Sequence, residues 1–271
     1  MKIATIIVHR NRPKLADHQA YRMKTLTRIS DVENKVLVVD CGSDAEKRTA
    51  HPSYWYPDPE FKLGKIYGHV IGIELLGTNY DYYWLNHPDL IFNDNETLKT
   101  LLRVMNENKD IGLLSPQCNG TYSGKDERGD NPDWHPVACV DYLSLFIRGQ
   151  ALREVGGLDP GFRYCVGADL DYGYRMWKHG WKVGYCDAVE MHHLGGTTYG
   201  APGTNTISRK QYEVRGGVVA FELLKQKYGE RWGEYMSQIM PETILGNQIM
   251  FCWRGRQKVK PESWSMMVDR R

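Results

Sequence analysis

Residues 3–8, IATIIV, form an unbroken run of apolar and β-branched side chains. That is the pattern of a strand covered on both faces of a parallel sheet. The polar segment His9-Arg10-Asn11-Arg12-Pro13 follows, then a helical pattern over 15–29 and a second buried strand over 36–39. The second strand stops at Asp40-Cys41-Gly42-Ser43-Asp44. Strand, helix, strand with polar residues at both strand ends is a βαβ unit, and ligands of such sheets bind beyond the carboxyl ends of the strands. Residues 51–65, with Pro52, Tyr54, Trp55, Tyr56, Pro57 and Pro59, are expected to form a loop. The pattern then predicts a helix over 64–76, a strand over 82–85 ending in Asn86-His87-Pro88-Asp89, a helix over 95–106 and a strand over 111–115. A long polar, glycine-rich segment over 118–135 is expected to be a loop, functional or disordered, and apolar alternation returns over 137–147.

The stretch 155–196 carries the densest chemistry. Gly156-Gly157 makes a turn, and Asp169 and Asp171 open a helix, where acidic groups are favoured by the unpaired N–H groups of a first turn. Leu170, Tyr174 and Trp177 form the apolar face of this helix, which stops at His179-Gly180. Residues 182–186 alternate as a strand, and Val189, Met191 and His193 share one face of the next extended piece, reached by a hairpin-like return. An acidic helix start and a histidine pair are thus separated by one helix and one return. Residues 195–208, with four glycines, are expected as a flexible loop, and helical patterns cover 208–227, 230–240 and 242–253. A basic tail with Trp253, Arg254, Arg256 and Lys258 closes the chain.

Composition narrows the picture. Thirty-five basic against 33 acidic residues leave a formal charge of +2, so nothing global demands a nucleic acid or an anionic membrane. The 6 cysteines include no Cys-x-x-Cys pair, which argues against a zinc cluster and for a reducing compartment. No apolar run reaches membrane-spanning length and no signal-peptide core opens the sequence, so a soluble, cytoplasmic protein without a transmembrane segment is expected. No Gly-x-Gly-x-x-Gly follows the first strand, which speaks against a dinucleotide cofactor.

The segments Gly156-Gly157-Leu158-Asp159, Ala168-Asp169-Leu170-Asp171 with Arg175, and His193-Leu194-Gly195-Gly196 together resemble the catalytic half of family-2 glycosyltransferases. The resemblance implies a GT-A (Rossmann-like) α/β fold, a mixed, mostly parallel sheet flanked by helices. The glycosyltransferase domain would span 1–207, with a nucleotide half over about 1–92 and an acceptor half over about 93–207, and 208–271 would be a helical C-terminal extension. The implied activity is metal-dependent, inverting transfer of a sugar from a nucleoside-diphosphate donor, UDP-linked, to an acceptor hydroxyl on a glycan or on a modified nucleobase of DNA.

By the same resemblance, His9 and Arg10 in the loop after the first strand, together with Asp40, would hold the base and ribose. Asp40 would accept from the base imide. Gly64 opens the donor-side helix, whose usual Arg-Asn is replaced here by His69-Val70. Asp89 and His193 would hold Mn²⁺ or Mg²⁺, with His87 contributing nitrogen and His192 as the alternative ligand. Asp169 would be the general base, Asp171 and Arg175 would brace the helix start, and Arg209 and Lys210 would act as donors to the diphosphate beneath the 195–208 loop. The chain departs from the family pattern at Cys41, at Asn86-His87-Pro88-Asp89 in place of Asp-x-Asp, and at Ala168 in place of Glu. The altered Asp-x-Asp and Ala168 keep open a catalytically silent protein that binds a nucleotide-sugar or carbohydrate, and the basic tail with the aromatics keeps open a nucleic-acid-modifying or nucleic-acid-binding protein. Homo-oligomerisation is left open as well.

Overall fold

In the computed structural model, the structure describes residues 1–51, 53–58, 64–119, 133–197, 199–203 and 207–241. The chain runs β1 (Lys2–His9), α1 (Pro13–Ser30), β2 (Glu33–Cys41), β3 (Ser53–Tyr56), α2 (Gly64–Leu76), β4 (Tyr82–Asn86), β5 (Leu90–Phe92) and α3 (Thr97–Glu107). It continues through β6 (Ile111–Asn119), β7 (Trp134–Pro136), β8 (Ser144–Arg148), α4 (Gly149–Val155), α5 (Ala168–Lys178), β9 (Lys182–His193), α6 (Arg209–Tyr228) and α7 (Trp232–Ser237). One mixed sheet has the order β3-β2-β1-β4-β8-β6-β9-β5, with β7 on β9. Its first four strands are mutually parallel, and β8 enters antiparallel against β4.

Strand β1 shows why its sequence is continuously apolar. Ile3 and Ile7 face one core with α1 and α3, whereas Ala4, Ile6 and Val8 face the other with α2. Both faces are covered, so both parities must be apolar. Helix α2 lies close enough to β1 that a Cβ at Gly72 would meet Ile6 Cγ2 at 2.5 Å. Helices α6 and α7 contribute Ala220, Phe221, Leu224, Trp232 and Met236 to the same core as α5. The joint is polar as well: Asp171 accepts from Arg175 Nε at 2.9 Å and from the Tyr228 hydroxyl at 2.7 Å, and it pairs with Lys227 at 2.5 Å. Asp171 is therefore fully spent on bracing α5, in line with the role expected for it, and the brace extends to α6.

Three local expectations need correction. The aromatic, proline-rich segment is not all loop, because Ser53–Tyr56 adds a parallel edge strand to β2. An edge strand leaves one side unpaired, so it tolerates prolines nearby and shows no buried run. The two extended pieces before His193 form one strand, β9. Pro116 opposes Cys186 and the next residue, Gln117, opposes Glu190, so a bulge stands where the hairpin-like return was expected. Over 137–147 only Ser144–Arg148 belongs to a strand, and the residues before it form a buried irregular segment. The 242–253 helix, the basic tail and most of the 118–135 segment lie outside the described residues.

Candidate active site

Strand β4 carries the chain to the carboxyl edge of the parallel sheet and ends at Asn86. The Asn86 side chain turns into the core: its Oδ1 accepts from Ser144 Oγ at 2.8 Å, and Ser144 Oγ in turn accepts from Trp84 Nε1 at 2.9 Å. This leaves the site to the next three residues. The His87 N–H is held by Leu143 O at 3.0 Å, and the turn delivers Asp89 directly before β5. Because β5 runs antiparallel to β9 with Leu90 opposite His193, Asp89 and His193 become neighbours although they lie 104 positions apart in the chain. His193 Nε2 lies 3.3 Å from Asp89 Oδ2, and Leu194 N–H donates to Asp89 O at 3.0 Å. One ligand atom each of His87, Asp89 and His193 lies within 4.8 Å of the other two.

The chemistry of this trio fits a divalent cation. His87 and Asp89 are buried, and both His87 ring nitrogens and Asp89 Oδ1 have no hydrogen-bond partner among the described residues. Buried polar atoms left so are costly unless something else satisfies them. Two imidazole nitrogens and a carboxylate suit Mn²⁺ or a similar first-row ion. Burial, and then the Lys65 charge, push the His87 imidazole well below its ordinary range, keeping it neutral as a ligand must be. Burial works against ionising Asp89, but the His193 contact and the Lys65 charge outweigh it and hold the carboxyl far below the usual range. The same carboxylate accepts from the Thr197 hydroxyl at 2.5 Å. His192 is exposed, because adjacent strand residues point to opposite faces, and it lies outside the trio.

Asp169 sits in the first turn of α5, half-buried, with Oδ1 accepting from Leu170 N–H at 2.9 Å. Burial, reinforced by the Asp141 carboxylate, pushes its pKa up to about 7. The Asp169 charge is felt at Cys165, as is that of Lys65, and Lys65 in turn acts on His87 and Asp89.

On the other flank, His9 and Asp40 oppose each other across β1 and β2, with His9 Nε2 at 3.5 Å from Asp40 Oδ2. Asp40 Oδ1 accepts from Ser43 N–H at 2.8 Å, which shapes the turn after β2. Arg10 donates to Cys41 O at 2.9 Å and to Asp58 O, tying this strand end to the segment before α2. Gly64 opens α2 at φ +73°, and a Cβ there would lie 2.0 Å from Arg163 O, so α2 reaches its place only because residue 64 is glycine. The segment after β9 is strapped across the site: Arg12 donates to Thr197 O at 2.7 Å and to Pro202 O at 3.2 Å, and Asn11 Nδ2 donates to Gly203 O at 3.1 Å. Arg209 and Lys210 stand on the exposed first turn of α6, where Arg209 pairs with Glu213 at 3.1 Å.

Solved structures with this architecture include GalNAc-T7 with UDP, GalNAc and Mn²⁺, at a TM-score of 0.58 and 13% identity. They also include the mannosyltransferase PcManGT from Pyrobaculum calidifontis in complex with GDP-Man and Mn²⁺, at a TM-score of 0.62 and 10% identity. The chain has the GT-A fold. Each GT-A likeness covers 98% of the chain, which spans 56% of the GalNAc-T7 chain and 78% of the mannosyltransferase chain. No protein-family model and no curated protein matches the sequence. At these identities the similarity is one of fold.

Within this GT-A sheet, several residues at the site gave no sequence signal. Asp141 and Tyr142 lie in the irregular segment before β8, and the Tyr142 hydroxyl meets His69 Nδ1 while its ring packs edge-on to His87 at 5.3 Å. Lys65 is an apparently ordinary helix lysine until burial is known. The one usable clue was periodic: Lys65, His69 and Gly72 share the inner face of α2.

Proposed function

We propose that the chain is a divalent-cation-dependent, inverting glycosyltransferase that moves a sugar from a UDP-linked donor to an acceptor hydroxyl. The observation that carries this reading is the His87–Asp89–His193 trio at the carboxyl edge of β4, and the Asp169 carboxyl raised to about 7 supports it. His87, Asp89 and His193 would hold Mn²⁺ or Mg²⁺, and such an ion supplies charge neutralisation to a departing diphosphate. Asp169 takes the proton of the acceptor hydroxyl. A base near neutrality combines a useful ionised fraction with a real affinity for that proton. The acceptor oxygen then bonds to the anomeric carbon as the bond from that carbon to the donor phosphate oxygen breaks, and the in-line course inverts the centre. His9 and Asp40, at the ends of β1 and β2, flank the nucleoside, and the 195–203 segment strapped to Asn11 and Arg12 covers the donor.

The nucleotides named with the two solved GT-A structures, UDP and GDP-Man, support a nucleoside-diphosphate donor. A thermal-shift panel of UDP, GDP, ADP and CDP, each with and without Mn²⁺, tests the proposal. Stabilisation by UDP that requires the cation is expected. A panel with no nucleotide response in either condition would overturn it.

A further inference from the structure

Helix α2 contains a lysine with no hydrogen bond or ion pair to any described residue. This residue, Lys65, is 8% exposed. Burying most of a lysine without pairing its ammonium costs stability. Its position adds to the cost, because Lys65 is the second residue of α2, where the helix dipole also presents positive charge, and the first turn contains no acidic residue. In the segment before α2, the Asp58 carboxylate accepts from Gly64 N–H at 3.2 Å. Evolutionarily cheap remedies, a neutral side chain or an added carboxylate, are not what this position carries.

The placement gives the cation a purpose. Lys65 and His69 lie one helical turn apart on the buried face of α2. His69 meets the Tyr142 hydroxyl, and the Tyr142 ring lies edge-on to His87 at 5.3 Å. The α2 face therefore continues into the trio, and Lys65 belongs to the same wall as His87 and Asp89. Gly64, whose Cβ would collide with Arg163 O at 2.0 Å, lets the start of α2 pack tightly there. We propose that Lys65 is an anion-binding residue that receives the diphosphate of the donor beside the His87–Asp89–His193 trio. This rests on the donor reading given above, and adds to it the residue that brings positive charge to the wall shared with His87 and Asp89. Lys65 holds negative charge both in the bound donor and in the nucleoside diphosphate that leaves.

The test is titration calorimetry of the full chain with inorganic pyrophosphate alone and with Mn²⁺ alone, on the native protein and on Lys65→Met. The methionine keeps the length of the side chain and removes its charge. Pyrophosphate binding is expected to weaken at least tenfold in Lys65→Met, an effect of the order of one lost charge-assisted contact (about tenfold). Mn²⁺ is expected to bind as well or about threefold more tightly, since a neighbouring positive charge is gone. The variant's melting temperature is expected to match or exceed the native value, because an unpaired buried charge has been removed. A merely structural lysine would lower melting temperature and both affinities together, and that result would overturn the proposal. So would native protein that binds Mn²⁺ but not pyrophosphate, while leaving the cation site standing. Native protein that binds pyrophosphate through Lys65 but no Mn²⁺ would support the anion site and sink the cation-dependent reading instead.

Discussion

Asp169→Asn separates catalysis from stability at one residue. The substitution keeps the shape of the side chain and deletes its charge. A carboxyl carried from 3.8 in the unfolded chain to about 7 when folded, chiefly by burial and then by Asp141, is destabilising once ionised. Because the folded value is the higher one, the stability tied to the protonated form is complete below the unfolded value and is lost as pH rises to about 7. The full cost above that pH is on the order of 4 kcal/mol. Solvent at the exposed part of the group reduces this to about 2 kcal/mol. For a chain of this size that corresponds to a melting temperature about 4–8 °C higher for Asp169→Asn at alkaline pH. The gain should be less than half as large at about pH 5, where the native carboxyl is still protonated. Differential scanning calorimetry of both proteins at about pH 5 and about pH 8 measures it. Turnover of the donor selected by the nucleotide panel is expected to fall by about 10²–10⁴, and native turnover should rise as pH passes through about 7. Equal stability gains at both pH values, or a variant that melts below the native protein at the higher pH, would refute the burial argument. A variant that turns over normally would refute the catalytic role.

Other outcomes follow from the same geometry. His193→Ala should weaken Mn²⁺ binding by more than about 100-fold, whereas His192→Ala, on the outer face of β9, should leave it within about twofold; electron paramagnetic resonance of free Mn²⁺ reads both. Asp171→Ala leaves Arg175 and Lys227 facing a gap inside the α5–α6 joint. It should cost about 3–5 kcal/mol, seen as a lower denaturation midpoint in urea. Gly64→Ala introduces a Cβ against Arg163 O at a positive φ. It should destabilise by at least about 2 kcal/mol, and a thermal melt within error of native would show that α2 can shift freely.

Much of the α/β frame was legible because burial on two faces leaves a one-dimensional mark. The runs at 3–8, 36–39 and 82–85 are apolar at both parities, and β1, β2 and β4 lie where those runs place them. The acidic start of α5 was equally visible, since first-turn carboxylates answer a local field. Elements whose stability comes from neighbours distant in sequence left weaker marks. Strand β3 exists because β2 offers it hydrogen bonds, and the bulge in β9 exists because Glu190 must pair with Gln117 after Cys186 has paired with Pro116.

The site divides in the same way. Sequence alone set the residue types: carboxylates and imidazoles at 89, 169, 192 and 193, in an order that resembles one family of sugar transferases. It put His193 ahead of His192 by its shared parity with Val189 and Met191 and by resemblance, and the register of β9 against β5 is what brings His193 to Asp89. Sequence alone could not show that Asn86 faces the core, that Asp141 sits near enough to raise the pKa of Asp169, or that Lys65 is buried. Charge, hydrogen-bond satisfaction and desolvation are properties of the space around a side chain, and only the folded sheet and its helices create that space.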